Sequence, residues 1–241
     1  MNPDYAAAYG ELYRRHWWWR AREAMLVHEL QRHQPVGGWG NLLDIGCGDG
    51  LFFDQLARFG EVWGVESDES MVPADSRHRA RIHVGPFDAS FKPGRRFGLV
   101  AMLDVLEHLP EPVAGLEHVR RLLEPDGRLL ITVPAFPVLW THHDDLNHHF
   151  VRYRKRSLGA VLEQAGLRML SGRYCFHWLV PVKLAVRGVE RFAGKNGSPT
   201  AVPAPWLNRL LFTLTRAEQT AFRGLDLPFG SSLLAWCAAA R

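Results

Sequence analysis

Residues 41–50 read Asn-Leu-Leu-Asp44-Ile-Gly46-Cys47-Gly48-Asp49-Gly50. A short apolar run meets a glycine-rich turn, and a helix-forming segment, LFFDQLARFG (51–60), follows at once with Gly60 in the carboxyl-cap position. Glycines let a backbone approach a ligand closely, and the start of a helix leaves N–H groups unpaired for polar ligand atoms. The next apolar run, EVWGVESD (61–68), carries Glu66 at its tip. An acidic side chain there can accept hydrogen bonds from both hydroxyls of a ribose. The expected ligand therefore bears a nucleoside.

The glycine spacing separates two ligand classes. A dinucleotide fingerprint is G-x-G-x-x-G, with a helix start facing a pyrophosphate. Here the spacing is G-x-G-x-G, with Asp44 before it and Asp49 inside it. Two carboxylates would repel a diphosphate and suit a cofactor with a cationic centre and an amino group.

Outward from this turn, strand and helix signals alternate. A weak helix is expected around 69–78, then a strand at RIHVGPFD (81–88), a strand running into a helix at RFGLVAMLDVLEHL (96–109), and a helix at PVAGLEHVRRLLEP (112–125). GRLLITVPAF (127–136) reads as a strand, SLGAVLEQAGL (157–167) as a helix capped by Ser157, and LRMLSGRYCF (167–176) and SLLAWCAAA (232–240) as the last two strands. Such succession predicts an α/β fold: a doubly wound, seven-stranded, mostly parallel sheet whose last strand runs antiparallel. The expected domain plan is an N-terminal helical lid (1–36), an α/β core (37–175), a helical insertion (176–230) and the final core strand (231–241).

Asp44-Ile-Gly-Cys-Gly-Asp-Gly50, Val65-Glu-Ser-Asp68 and Leu103-Asp-Val-Leu-Glu-His-Leu109 together resemble the class I S-adenosylmethionine-dependent methyltransferases, over about residues 40–170. The resemblance implies a Rossmann-like methyltransferase fold and S-adenosylmethionine as cofactor. By it Asp44, Gly46, Cys47, Gly48 and Gly50 hold the methionine part, and Glu66 with Ser67 holds the ribose. Phe87 and Asp88 lie beside the adenine, and Leu103 and Asp104 line the site near the sulfonium. Gly85-Pro86-Phe87 precede Asp88, a departure from the family pattern, in which the acid often follows the glycine directly. An N-terminal helix lids the cofactor in similar enzymes, which brings Trp19, from the Trp17-Trp18-Trp19 cluster, and an arginine into the expected site. Consecutive residues on a helix point different ways, so core packing accounts for two of these three tryptophans. Cys47 reads as a small buried residue and not as a nucleophile.

The sulfonium is already activated, so the protein must align the methyl with its acceptor and help remove a proton if the acceptor is a hydroxyl. The expected reaction is methyl transfer to a small molecule, at oxygen, with His108, His142, His143, His148 and His149 as candidate catalytic residues. Nitrogen or carbon methylation, a lipid-linked acceptor at a membrane surface, and a non-catalytic cofactor-binding partner are the rivals. Asp104, Glu107 and His108 would share one helical face if a helix began at Asp104. That segment is similar to the acid-x-x-Glu-His stretch of ubiquinone-pathway O-methyltransferases, where a divalent cation orients a catechol. Here Glu107 and His108 read as helix braces, and no metal is assigned. His142-His-Asp-Asp-Leu-Asn-His-His149 reads as an acceptor-lining loop in which one imidazole acts. Arg152, Arg154, Lys155 and Arg156 read as a solvated face before an anion site.

The 241 residues carry a net charge of +4, with nine Lys/Arg against three Asp/Glu in residues 173–241. Within the insertion, Trp178, Leu179, Val182, Val186 and Val189 share one helical face, opposite Lys183, Arg187, Glu190 and Arg191. A second amphipathic segment sets Leu207, Leu210, Leu211, Leu214 and Phe222 against Arg209, Arg216 and Arg223, and GKNGSPTAVPAP between them reads as a linker. The pair suits a lid over an apolar or lipid-like acceptor, a dimer interface or a peripheral membrane contact. Nucleic acid is disfavoured, DNA as well as RNA, because no Asn/Asp-Pro-Pro-aromatic segment follows the fourth strand. Three cysteines, no secretory signal and no apolar run of about 18 residues make a cytoplasmic address the default.

Overall fold

The structure, a computed structural model, describes residues 3–193 and 201–240. Its sheet comprises β1 (Asn41–Ile45), β2 (Glu61–Glu66), β3 (Ile82–Val84), β4 (Phe97–Leu103), β5 (Leu123–Pro134), β6 (Leu167–Cys175) and β7 (Ser232–Ala239). Their order is β3-β2-β1-β4-β5-β7-β6, parallel throughout except for β7, which runs antiparallel to both β5 and β6. This is the expected α/β fold. The strand order reverses between β1 and β4, and in such sheets the crevice outside the carboxyl ends at the reversal is where ligands bind. Gly46–Gly50, Glu66 and Asp104 all leave the sheet there.

Helices cover both faces, which is why the central strands read as continuous apolar runs. On one face α4 (Pro112–Leu122) and α6 (Lys155–Gln164) bring Leu116, Val119, Leu158 and Leu162 against Leu129, Ile131 and Val133. On the other, α2 (Trp17–His33) brings Trp17, Met25, Leu26 and Leu30 against Leu42, Leu99, Leu130 and Leu234. The alternation of Leu129, Leu130 and Ile131 between faces is the period of two of a strand. Helix α1 (Pro3–Arg15) precedes α2, and α8 (Pro205–Ala221) docks on α2: the Asn208 carboxamide oxygen accepts from the Trp17 amide at 2.8 Å, and the Gln219 side-chain amide donates to the Ala21 carbonyl at 3.1 Å.

Several local expectations change. The helix expected over 51–60 shrinks to α3 (Phe53–Leu56), because the flanking bonds, Phe53 N–H to Gly50 and Phe59 N–H to Leu56, close three-residue turns. Gly60 is a close approach and not a cap: a β-carbon there would lie 2.3 Å from the Gly40 carbonyl oxygen. The helix expected at 69–78 is one turn, Glu69–Met71, and Pro73 has no N–H with which to extend it. Ser157 sits inside α6 at its third position, where its hydroxyl accepts from the amide of the true cap, Arg154, at 2.9 Å. Part of the His-rich loop is helical, α5 (His142–Leu146), because Thr141 and Asp144 form a capping box.

The insertion does contain two helices, α7 (Leu179–Ala193) and α8, and residues 194–200 of the expected linker lie outside the described residues. Helix α7, however, faces the opposite way from an ordinary amphipathic helix. Val182 and Val189 are 44% and 64% exposed, whereas Arg187 donates to the Val138 carbonyl and the Glu190 carboxylate accepts from the His142 amide at 3.1 Å. On α8, Leu207 and Leu211 turn inward while Leu210 and Leu214 stay exposed. No described helix is long and apolar enough to cross a membrane.

The tightest packing under the glycine turn is at Gly64, where a β-carbon would lie 2.4 Å from Cys47 Sγ and 2.7 Å from Phe53 Cζ. Gly64→Ala is expected to lower the urea midpoint, at a cost on the order of 1–3 kcal/mol. Gly159→Ala in α6, where nothing lies within 4 Å of the new methyl group, is expected to raise it by about 0.5–1 kcal/mol. Equal shifts for the two would contradict this account.

Candidate active site

The glycine turn after β1 is built by backbone constraint. Gly46, Gly48 and Gly50 all have positive φ (70°, 53° and 71°), and a β-carbon on Gly46 would meet Val105 Cγ2 at 2.6 Å. Both the Gly46 and Cys47 amides donate to the Val65 carbonyl, at 2.8 and 3.3 Å, which folds the turn back over the end of β2. The Glu66 carboxylate then ties two loops: one oxygen accepts from the Gly48 amide at 2.9 Å and the other from the Asp68 amide at 2.9 Å. Beside it Asp44 is 4% exposed, and burial pushes its carboxyl up to about 7 against the opposing pull of Arg22. Burial likewise raises the Cys47 thiol, with Asp44 and Glu66 adding to the effect, so it is no nucleophile at neutral pH.

Helix α2 closes over this edge. Arg22 is buried, bonds Asp104 at 2.7 Å and the Thr132 hydroxyl at 3.3 Å, and lies over the Trp18 ring at 5.6 Å. Trp17 and Trp19 are the buried pair of the tryptophan cluster. Trp19 packs edge-on to Tyr9 at 6.0 Å and to His16 at 5.0 Å, so Trp18 is the ring next to the arginine. Leu103 is half-buried at the end of β4, and Ser67 is exposed after Glu66.

Asp88, expected beside the adenine, is engaged by its own neighbour. It is exposed, and its Oδ1 accepts from the amide and hydroxyl of Ser90 at 2.7 and 2.6 Å, a local turn that also holds its carboxyl below the usual range. Phe87 is half-buried and points at His118 and Phe91, with centroids 5.0 and 6.0 Å away.

Asp104, Glu107 and His108 do not share a helical face. Asp104 has a φ of 59°, its amide donates to the Thr132 carbonyl at 2.9 Å, and only a single turn, Leu106–His108, follows. Asp104 therefore goes to Arg22, while Glu107 and His108 turn toward residues 147–150. The five candidate histidines divide accordingly. His108 and His149 meet edge to face at 4.7 Å. His142 is turned toward Glu190 and Asp145, His143 lies exposed against Asn147, and His148 is exposed with a φ of 55°. Burial, with His149 adding to it, pulls His108 down to about 4.

A buried clamp positions His149. Asp144 has no exposure; its Oδ1 accepts from His149 Nδ1 and Arg152 Nε, both at 2.8 Å, and its Oδ2 accepts from Arg152 Nη2 and the Thr141 amide, both at 2.9 Å. Burial acts to raise this carboxyl, but the bonds from His149 and Arg152 outweigh it and hold it well below the usual carboxylate range. Arg152 is thus a buried brace, with its Nη1 on the Ala135 carbonyl at 3.0 Å, and not part of a solvated face. Sequence reasoning missed the clamp, although Thr141-x-x-Asp144 is a readable capping pattern. It also missed Lys183, which burial and then Arg152 pull down to about 8. Truncating one partner of a buried pair strands the other charge, so Arg152→Ala is expected to destabilise by about 3–5 kcal/mol. Because the Asp144 carboxyl is depressed in the folded state, its contribution is full above the unfolded carboxyl pKa of about 3.9 and is lost as pH falls below it. Acid titration of Asp144→Asn should accordingly show a shallower loss of stability than the parent.

The sequence and the fold are matched by known proteins. The family model of the methyltransferase domain matches residues 14–171. The ubiquinone biosynthesis O-methyltransferase of Coxiella burnetii is 28% identical over 150 residues, 54% of this chain and 64% of that protein; that of Cereibacter sphaeroides is 34% identical over 96 residues, 37% and 39% of the two. The chain thus matches less than two thirds of the length of these relatives. In architecture it is similar to an S-adenosylmethionine-dependent methyltransferase from Clostridium acetobutylicum (TM-score 0.55, 10% identity, 92% of each chain). It is also similar to a chain in the complex containing the Haloferax volcanii Trm112 methyltransferase activator (TM-score 0.60, 19% identity, 99% of this chain and 96% of that one). With a Gly46–Gly50 turn, an acidic β2 tip and a family match across most of the sheet, this chain belongs to the class I S-adenosylmethionine-dependent methyltransferases.

Proposed function

We propose that the protein methylates a hydroxyl oxygen of a small molecule, with loss of the hydroxyl proton assisted by His149. The observation that carries this reading is the placement of two unlike polar sites along one edge. Asp44 and Glu66 stand at the ends of β1 and β2, and Glu107, His108 and His149 stand beyond β4. The residues fit the cofactor. Asp44 and Glu66 form an acidic wall suited to an amino group, a sulfonium and a ribose, the positive-φ glycines keep β-carbons out of its approach, and Asp49 Oδ1 is buried without a hydrogen-bond partner among the described residues. S-adenosylmethionine, when bound, supplies a methyl group already activated for transfer. The chain's own part is to hold the acceptor oxygen in line and to accommodate its proton, and among the five candidate imidazoles His149 is the one fixed in orientation by a buried carboxylate.

The relatives named for ubiquinone biosynthesis O-methylation favour oxygen over nitrogen or carbon as the acceptor atom. A second reading, a lipid-linked acceptor taken at a membrane surface, is favoured by the outward apolar residues of α7 and α8, Phe192 (91% exposed) and Trp206 (70%) above all. Salt-sensitive co-sedimentation with anionic vesicles would support it, and its absence would remove it.

Calorimetry is expected to show binding of both S-adenosylmethionine and its demethylated product, and at least tenfold weaker binding by Glu66→Ala. A folded sample that binds neither would overturn the reading. Since burial raises the Asp44 carboxyl to about 7, its negative charge develops as pH rises through neutrality. Affinity for the sulfonium compound should then rise several-fold between about pH 5.5 and about pH 7.5, and Asp44→Asn should flatten that rise.

A further inference from the structure

We propose that the hollow where α2, β6 and the end of α8 meet is a binding site for a phosphate group. It is lined by Met25 and His28 of α2, Arg173 of β6, Arg216 and Gln219 of α8, and Arg223 just past that helix. Residues far apart in the chain are brought to one point here because α8 docks along α2. Guanidiniums gathered around one hollow repel each other unless an anion sits among them, and their planar forks match phosphate oxygens.

Two of the three arginines are held in place by the protein itself. Arg173 Nη2 donates to Glu29 Oε1 at 2.8 Å, and Glu29, which is buried, also accepts from Trp236 Nε1 at 3.3 Å. Arg216 Nη1 donates to Gln219 Oε1 at 2.6 Å, and the Gln219 amide is itself fixed on the Ala21 carbonyl. Donors remain over. Arg173 Nε is buried with no hydrogen-bond partner among the described residues, and Arg223 has neither a hydrogen bond nor an ion pair among them. A buried donor left in that condition is costly until an acceptor reaches it.

Charge count and space indicate the class of ligand. The other carboxylates of α2 and α8 are engaged elsewhere, Glu23 with Tyr13 and Gln55, and Glu218 with His177 and the Trp178 amide. Glu29 therefore answers one guanidinium of three, which leaves two positive charges for a dianion. Burial and then Arg223 lower His28, with Arg173 and Arg216 acting the same way against Glu29, and burial and Arg223 lower Arg216. An uncompensated cluster of cations acts in this direction on its members. The hollow measures about 10 Å³, the space of one water molecule. It admits one phosphate oxygen and leaves the rest of the group at the mouth, where Arg223 is exposed. Two sources present this chemistry: a soluble phosphate and the headgroup of an anionic phospholipid, the latter in keeping with the exposed Trp206, Leu210 and Leu214 of α8. The site does not depend on the methyl-transfer reading, but an anion in it would tighten α8 on α2, the helix that carries Arg22 to Asp104.

Calorimetry of the full chain with sodium phosphate, at an ionic strength held constant with chloride, is expected to show saturable uptake of one phosphate per chain. His28, followed by proton NMR, should titrate at higher pH with phosphate bound, since the anion offsets Arg223, Arg173 and Arg216. Arg223→Gln and Arg216→Gln should each weaken uptake about tenfold or more, whereas Arg209→Gln, on α8 but outside the hollow, should leave it unchanged. Arg223 is exposed beyond the helix, so its substitution spares the fold, and melting curves check this. Co-sedimentation with phosphatidylcholine vesicles, with and without phosphatidic acid, separates the two sources. Binding to phosphatidic acid that Arg223→Gln abolishes, without saturable uptake of free phosphate, supports the site as a headgroup site; uptake of free phosphate without vesicle binding supports it as a site for a soluble phosphate. Absence of both, or binding that Arg223→Gln and Arg216→Gln leave intact, would overturn the proposal, and acetate bound as tightly as phosphate would overturn the choice of a dianion.

Discussion

A single carboxylate organises the segment from Thr141 to Arg152. Asp144 lies wholly inside the protein, and its two oxygens receive donors from a helix start (the Thr141 amide), an imidazole and a guanidinium. A buried charge is tolerable only when its partners are this complete, so the segment from Thr141 to Arg152 has little freedom to rearrange around it. The direction of His149, the backbone contact of Phe150 with Glu107 and the anchoring of Arg152 on the Ala135 carbonyl all follow from it.

The glycine turn after β1 obeys a different constraint, close approach. Gly46 and Gly64 admit no side chain because Val105, Cys47 and Phe53 occupy the space, and Glu66 then fastens the Gly48 amide to the end of β2. The two sides meet at Asp104, whose left-handed backbone turns the chain out of β4 and whose carboxylate holds Arg22 of α2. The glycine turn, the N-terminal helix and the segment from Thr141 to Arg152 are thus linked through groups that are short of solvent and therefore sensitive to loss of any one partner.

Much of this was legible from residue order. The apolar runs ending in glycine or acid placed β1, β2 and the crevice between them, because period and turn chemistry are local properties. Side-chain direction was not legible where tertiary contacts override local preference. Asp104, Glu107 and His108 sit at helical spacing, yet a positive φ at Asp104 parts them, and nothing in one sequence announces a left-handed aspartate held by the Thr132 carbonyl. Helix α7 misleads in the same way: its pattern is amphipathic, but Arg187 and Glu190 face the protein because the Val138 carbonyl and the His142 amide offer them polar partners, leaving Val182 and Val189 outside. Asp88 shows the converse, a family position whose carboxylate is held by its own neighbour Ser90.

The three thiols form a built-in set of reporters. Cys47 lies within the glycine turn, Cys175 at the end of β6 and Cys237 in β7; all three are free and buried, and burial raises each of them, Cys175 and Cys237 to about 12. Alkylating reagents act on the thiolate, so in the closed protein these sites are silent. Whichever thiol is modified first therefore marks the region that opens first. A chain in which Cys47 labels ahead of the two sheet cysteines is one whose glycine turn loosens independently of the sheet behind it.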